Sequence, residues 1–192
     1  MDNITIHAEH VTLNLHSADP LARIDAIPGG VTALAEPLGA PINALPAARF
    51  TKVLADGTEI TAEDPRDSHV AVIDHHAGLM WSVESLGDPD AENDGITQEH
   101  CMERCRELRL LDHADWRLPT RAELASLVDD TRHEPAIDTN LFPRVKPRWH
   151  WTSTPCAWSS ASAWYVYFYL GDVYDLHRYY DGFALAVRRV GQ

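Results

Sequence analysis

Two hydrophobic periods organise this chain. Ile4 and Ile6, then Val11, Leu13 and Leu15, alternate with polar neighbours, and that spacing of two predicts two short strands or one bent strand. From Ala18 to Ala48 the pattern dissolves into Ala, Pro, Leu and Gly, with prolines at 20, 28, 37, 41 and 46. Proline removes a backbone donor and clashes with the preceding turn. The stretch therefore predicts an extended connector, with at most a helical turn near Val31 to Leu34. It is more apolar than a free linker, so it is expected to pack on its own domain, a neighbouring subunit or a larger particle.

A compact domain is predicted to follow, dividing the chain into residues 1–48 and 49–192. Asp56-Gly57 is a turn signal between the strand candidates Phe50 to Leu54 and Thr58 to Ile60. Val70 to Asp74 and Leu79 to Trp81 read as strands around a His75-His76-Ala77-Gly78 turn. Gly87 to Gly95 is an acidic loop. The period then changes to that of a helix. Thr97 can cap a segment in which Cys101, Cys105, Leu108 and Leu111 recur at helical spacing. Thr120-Arg121-Ala122-Glu123 is a capping box before an apolar face of Leu124, Leu127 and Val128. Pro135, Pro143 and Pro147 mark an irregular stretch.

Alternation returns at the end. Trp149 to Thr154 is a strand candidate, Ala163 to Leu170 alternates core residues with tyrosines, and Gly171-Asp172 is a two-residue turn before Val173 to Tyr179. Asp181-Gly182 is a second turn signal, and Phe183 to Val190 completes a predicted three-stranded antiparallel meander. The two-residue turn places Tyr169 opposite Tyr174, Tyr167 opposite Leu176 and Tyr165 opposite Arg178. One face then carries Tyr165, Tyr167, Tyr169, Tyr174 and Arg178, and the other Trp164, Val166, Phe168, Leu170 and Val173.

Charge narrows the partners. The formal net charge is -13, from 29 acids against 16 bases. Neither nucleic acid nor an anionic membrane surface is expected to bind such a chain. No stretch is apolar enough to span a bilayer, so no membrane insertion is expected. Met1 to His7 lacks the pattern of a signal peptide, so the chain is expected to be made in a cytoplasm. Cys101, Cys105 and Cys156 read as buried thiols before a disulfide. Asp88, Asp90, Glu92 and Asp94 lack the glycine and distal glutamate of an EF-hand. No cofactor is expected, calcium being the one ion the acidic loops would admit. Trp81, Trp116, Trp151 and Trp164 read as core, and Arg117 and Glu123 as anchors of a helix start.

The ordered set Gly78-Leu79-Met80-Trp81, Trp116-Arg117-Leu118-Pro119-Thr120 with Glu123-Leu124, Pro135-Ala136-Ile137-Asp138, Leu141-Phe142-Pro143, Trp151-Thr152-Ser153-Thr154 and Ala163-Trp164-Tyr165-Val166 resembles the Lcl C-terminal domain family, from about Phe50 to Val190. The resemblance implies an α+β, C-type-lectin-like domain of two helices on small twisted antiparallel sheets, here preceded by a short β/extended segment. It implies relatives among adhesins, surface proteins and phage tail proteins, some of them diversified by retroelements that rewrite adenine-containing codons. Tyr, Asp and His are each one base from Asn, so the final hairpin suits such a surface.

The expected ligand-binding residues are Tyr165, Tyr167, Tyr169, Tyr174, Asp175, His177, Arg178, Tyr179, Tyr180 and Asp181. Tyrosine offers a large rigid contact area, one polar tip and few rotors to freeze. The alternative for these rings is a second core layer. The expected function is receptor binding or adhesion, without catalysis, as a phage tail or cell-surface component. Its partners would be a host-surface protein or glycan, virion or tail proteins through residues 1–48, and further copies of the chain, a trimer above all. A structural virion component is the alternative. A formylglycine-generating-type oxidase ranks below both, because Cys156 has no matching cysteine nearby.

Overall fold

The computed structural model describes residues 48–191 apart from Glu92 and Asn93. The strands and connector read from residues 1–47, with their assembly role, lie outside the described residues. The elements in chain order are β1 (Phe50–Val53), β2 (Glu59–Thr61), β3 (Ala71–Asp74), β4 (Leu79–Ser82), α1 (Gln98–Glu107), α2 (Arg121–Ala125), β5 (Trp149–Cys156), β6 (Ser159–Tyr167), β7 (Asp172–His177) and β8 (Val187–Arg189). They form two antiparallel sheets, one of five strands in the order β2-β1-β3-β4-β8 and one of three in the order β5-β6-β7. Among the described residues no helix is long and apolar enough to cross a membrane.

The α+β, C-type-lectin-like arrangement expected above is overturned. The described residues are mostly β, and the two helices have only 10 and 5 residues. Both predicted caps form: Thr97 accepts from the His100 N–H, and Thr120 and Glu123 make a reciprocal capping box. The helices then stop early. Leu111 and Asp112 take φ of 53° and 59°, left-handed values incompatible with a continuing helix. The Ser126 hydroxyl donates to the Glu123 carbonyl at 2.7 Å, and Leu127 and Val128 fall outside α2. A cap fixes where a helix begins, not how far it runs, and helices this short do not cover a sheet.

Two apolar clusters do that work instead, each drawing on both sheets. One joins Val72 and Trp81 to Val166 and Phe168, with Leu124, Ile137 and Phe142. The other joins Ile73 and Met80 to Trp151 and Ala163, with Cys101, Cys105 and Trp116. The segment from Phe183 to Val187 runs between them. Leu185 and Val187 enter the first cluster, Ala184 and Ala186 the second, and all are buried. Its backbone bonds to Leu86 and Ser82 on one side, at 2.8 and 2.9 Å, and to Trp149 and Trp151 on the other, at 3.0 and 2.8 Å. This segment therefore joins the sheets, and the predicted third strand of the meander is corrected: β8 pairs with β4, and β5 takes its place beside β6. A strand buried on both sides loses polar alternation, which is why Phe-Ala-Leu-Ala-Val misled the register.

The hairpin register is corrected as well. Tyr165 faces Tyr174, Tyr167 faces Asp172 and Ala163 faces Leu176. β6 ends at Tyr167 because the backbone beyond it is used elsewhere: the Phe168 carbonyl accepts from Ala136 N–H at 2.7 Å and the Tyr169 carbonyl from Glu134 N–H at 2.8 Å. Gly171, at φ 87°, closes a longer turn onto the Tyr167 carbonyl. The slip is an even number of residues, so Tyr165, Tyr167 and Tyr174 keep a common face. Leu170, expected in the core, is 55 % exposed at the turn.

Candidate functional site

All six tyrosines of the chain fall between positions 165 and 180. Strand pairing puts Tyr165, Tyr167 and Tyr174 on one face of the three-stranded sheet together with Trp149 and Trp151 of β5. The rings form a connected set. Trp149 lies 6.3 Å from Tyr165 and 6.1 Å from Tyr167, Tyr165 lies 6.5 Å from Tyr174, and Tyr167 lies 5.8 Å from Tyr169.

This face is divided. At one end Trp151 and Ala163 are fully buried against Cys101 and Cys105 of α1, and Gln98 of α1 donates to the Thr152 carbonyl at 2.7 Å. Tyr165 and Leu176 pack against that cluster and are half-buried. Burial pushes the Tyr165 phenol above its ordinary pKa. Here the second-core-layer alternative describes the molecule. At the other end Tyr174 is 57 % exposed, and Tyr167 and Tyr169 are half-buried. Beyond β7, Tyr179 and Tyr180 are 60 % and 46 % exposed and lie 4.6 Å apart, with His177 4.1 Å from Tyr179.

The remaining predicted residues divide in the same way. His177 and Asp181 are exposed. Asp175 pairs with Trp164 and so belongs to the opposite face from Tyr174. Arg178 is tied into the fold: its Nε donates to the Ser162 carbonyl at 3.3 Å, and its own carbonyl accepts from Gln98 N–H at 3.2 Å.

Residues outside that set complete the surface. Trp149 is held by its indole N–H, which donates to the Asp181 carbonyl at 2.6 Å. Gly182 lets both neighbouring indoles lie on the backbone, since a Cβ there would come within 2.6 Å of Trp149 and 2.8 Å of Trp151. Trp149 also lines a cleft of about 510 Å³ with Asp88, Asp94, His100, Arg148 and Asp181. The signal for Trp149 was in the sequence: Trp149 and Trp151 are two apart on a strand that pairs with Tyr167 and Tyr165. A separate aromatic group sits at the β5–β6 turn, where Trp158 is 68 % exposed, Trp164 lies 5.5 Å from it, and the Arg121 guanidinium stacks 3.8 Å over Trp164. Trp164 is thus half-buried rather than core.

Other groups with chemical potential are built into the fold. Ser85 and His150 form a 2.7 Å hydrogen bond reminiscent of a nucleophile and its base. A carbonyl can only accept, so His150 Nδ1 carries the proton given to Arg148 O at 3.0 Å, and Nε2 accepts from Ser85. The pair is buried, and burial lowers the His150 pKa to about 4. It is a satisfied core network without solvent access. Cys101, Cys105 and Cys156 are free and buried. Burial pushes the Cys101 thiol up and Cys105 up to about 12, which removes thiolate reactivity at neutral pH. His75 bonds Thr51 at 2.8 Å in the turn expected there. Arg117 grips Glu123 through two bonds of 2.9 and 2.7 Å, the role read from sequence. Arg188 is buried and paired with Asp115 at 2.7 Å, which occupies its charge, and Arg144 donates to the His69 carbonyl at 2.7 Å. Among the described residues no group of three or more His, Cys, Asp or Glu side chains is arranged to hold a metal.

No curated protein matches this chain. The model of the Lcl C-terminal domain matches residues 70–190, more than half of the sequence, and excludes the β1–β2 hairpin. The chain belongs to the Lcl C-terminal domain family.

Proposed function

We propose that this chain is an adhesive, ligand-binding module, not an enzyme, and that it attaches a phage tail or a cell surface to a host receptor. One observation carries the reading: Tyr174 on β7, and Tyr179 and Tyr180 just beyond it, hold 57 %, 60 % and 46 % of their surface in water. Large rings left outward in this number contribute little to folding and much to contact with a partner. The buried thiols and buried Ser85–His150 pair agree with a binding role, because the groups most suited to nucleophilic chemistry are out of reach. The adhesive relatives implied by the family resemblance support it too. Residues 1–48 would join the module to its particle or to further copies, as a trimer.

The test is capture of host-cell surface material by the purified full chain, compared with a Tyr167→Ala, Tyr169→Ala, Tyr174→Ala variant. The proposal expects the variant to stay folded and lose capture. Unchanged capture would move the binding surface elsewhere.

A further inference from the structure

The cleft beside Trp149 differs in chemistry from the tyrosine surface it adjoins. Backbone contacts join its described walls. Ile96 and Gly182 exchange hydrogen bonds of 2.7 and 2.9 Å, and Asp88 N–H donates to the Asp94 carbonyl at 2.9 Å. Gly87 and Gly95 permit that closure: a Cβ on Gly95 would come within 2.7 Å of Gly182, and one on Gly87 would strike the Asp94 carbonyl and the Phe183 ring. The cleft's volume of about 510 Å³ suits a small molecule or one or two residues of a polymer.

The side chains say which kind. Trp149 is half-buried with its indole N–H already engaged by Asp181, so what remains for a ligand is ring surface. Asp88, Asp94 and Asp181 supply carboxylate acceptors, His100 a ring nitrogen and Arg148 a guanidinium. An aromatic wall beside dense hydrogen-bonding groups matches a sugar ring, which has an apolar C–H face and a polar hydroxyl edge. Among the described lining residues three carboxylates outnumber one guanidinium, which disfavours a negative ligand. The chain's net charge of -13 adds to that repulsion.

We infer that this cleft is a sugar subsite that takes a neutral or amine-bearing residue of a glycan and discriminates against uronic and sulfated sugars. The inference rests on the binding role proposed above and names the ligand chemistry. The tyrosine surface, continuous with the cleft through Trp149, would extend the contact along the same glycan.

The experiment is a titration of the full chain with a glycan panel spanning neutral, amine-bearing, uronic and sulfated members. Binding is read from the indole N–H resonance of Trp149, assigned with W149F. The expected result is a shift of that resonance by a neutral or amine-bearing glycan, which binds about tenfold or more tightly than its uronic counterpart. Asp94→Asn with Asp181→Asn should erase most of that preference without unfolding the chain. In the Tyr167, Tyr169, Tyr174 variant the preference should persist while overall binding weakens. Tighter binding of uronic or sulfated glycans would overturn the inference, and so would a panel that leaves Trp149 unmoved. If Trp149 is unmoved while the chain still captures host-surface material through its tyrosines, the adhesive role stands with a protein receptor. If capture is also absent, that role falls as well.

Discussion

The two faces of the β5–β6–β7 sheet share one alternating sequence but spend their aromatic area differently. On one face His150, Val166 and Phe168 are wholly buried, and His150 packs 5.1 Å from the Phe168 ring. On the other, Trp151 is sealed while Trp149 and Tyr167 are half-buried and Tyr174 is exposed. The first face holds the fold together. The second is covered only as far as α1 extends, and α1 has 10 residues. A short helix thus leaves part of a sheet open, and the open part is where the tyrosines lie.

The largest effect should come from the sealed face. Phe168→Ala removes a ring with no exposed surface; it should cost about 3–5 kcal/mol in denaturant unfolding. Acid attacks the same face next. His150 is neutral in the fold, its pKa lowered from 6.5 to about 4, so between those values the unfolded chain binds the extra proton. Stability is therefore full above pH 6.5 and falls as the pH is lowered toward 4. Thermal unfolding across that window should show a loss of about 3 kcal/mol, diminished in His150→Gln. Thr120→Ala removes one side of the capping box that starts α2; a loss of about 1 kcal/mol is expected by the same assay. The smallest effect belongs to the open face. Tyr174→Ala should change stability by less than about 0.5 kcal/mol. A cost near that of Phe168→Ala would erase the distinction between the faces.

Much of this fold was legible along the chain because its signals were local. The Asp56-Gly57 turn, the Thr97 cap, the Thr120–Glu123 capping box and the strands around His75 rest on neighbours within a few residues, and all are present. What sequence reading missed depended on distant partners. The turn at Phe168 to Gly171 is lengthened by bonds to Glu134 and Ala136, which no pattern within the hairpin reveals. Phe183 to Val187 looked like an ordinary last strand, yet it threads between two cores. Helix length was overestimated because apolar spacing continued after the backbone had turned, as at Leu111 and Leu127.

The candidate surface was half legible. The tyrosines share a face in either register because the error was even. Asp175 fell to the other side, and Trp149 was passed over because β5 had not been placed beside β6. Asp88 and Asp94 line the cleft with Trp149 where Ile96 bonds Gly182, a closure far apart in sequence.

Hydroxyl-radical footprinting of the full-length chain, alone and with captured host-surface material, tests the outward aromatic surface most directly. Tyr174, Tyr179 and Tyr180 should oxidise quickly in the chain alone, Trp151 hardly at all, and the partner should protect the tyrosines. Slow oxidation of all three tyrosines in the chain alone would place them inside a permanent seam between copies, and the surface assigned to a receptor would belong to the assembly itself.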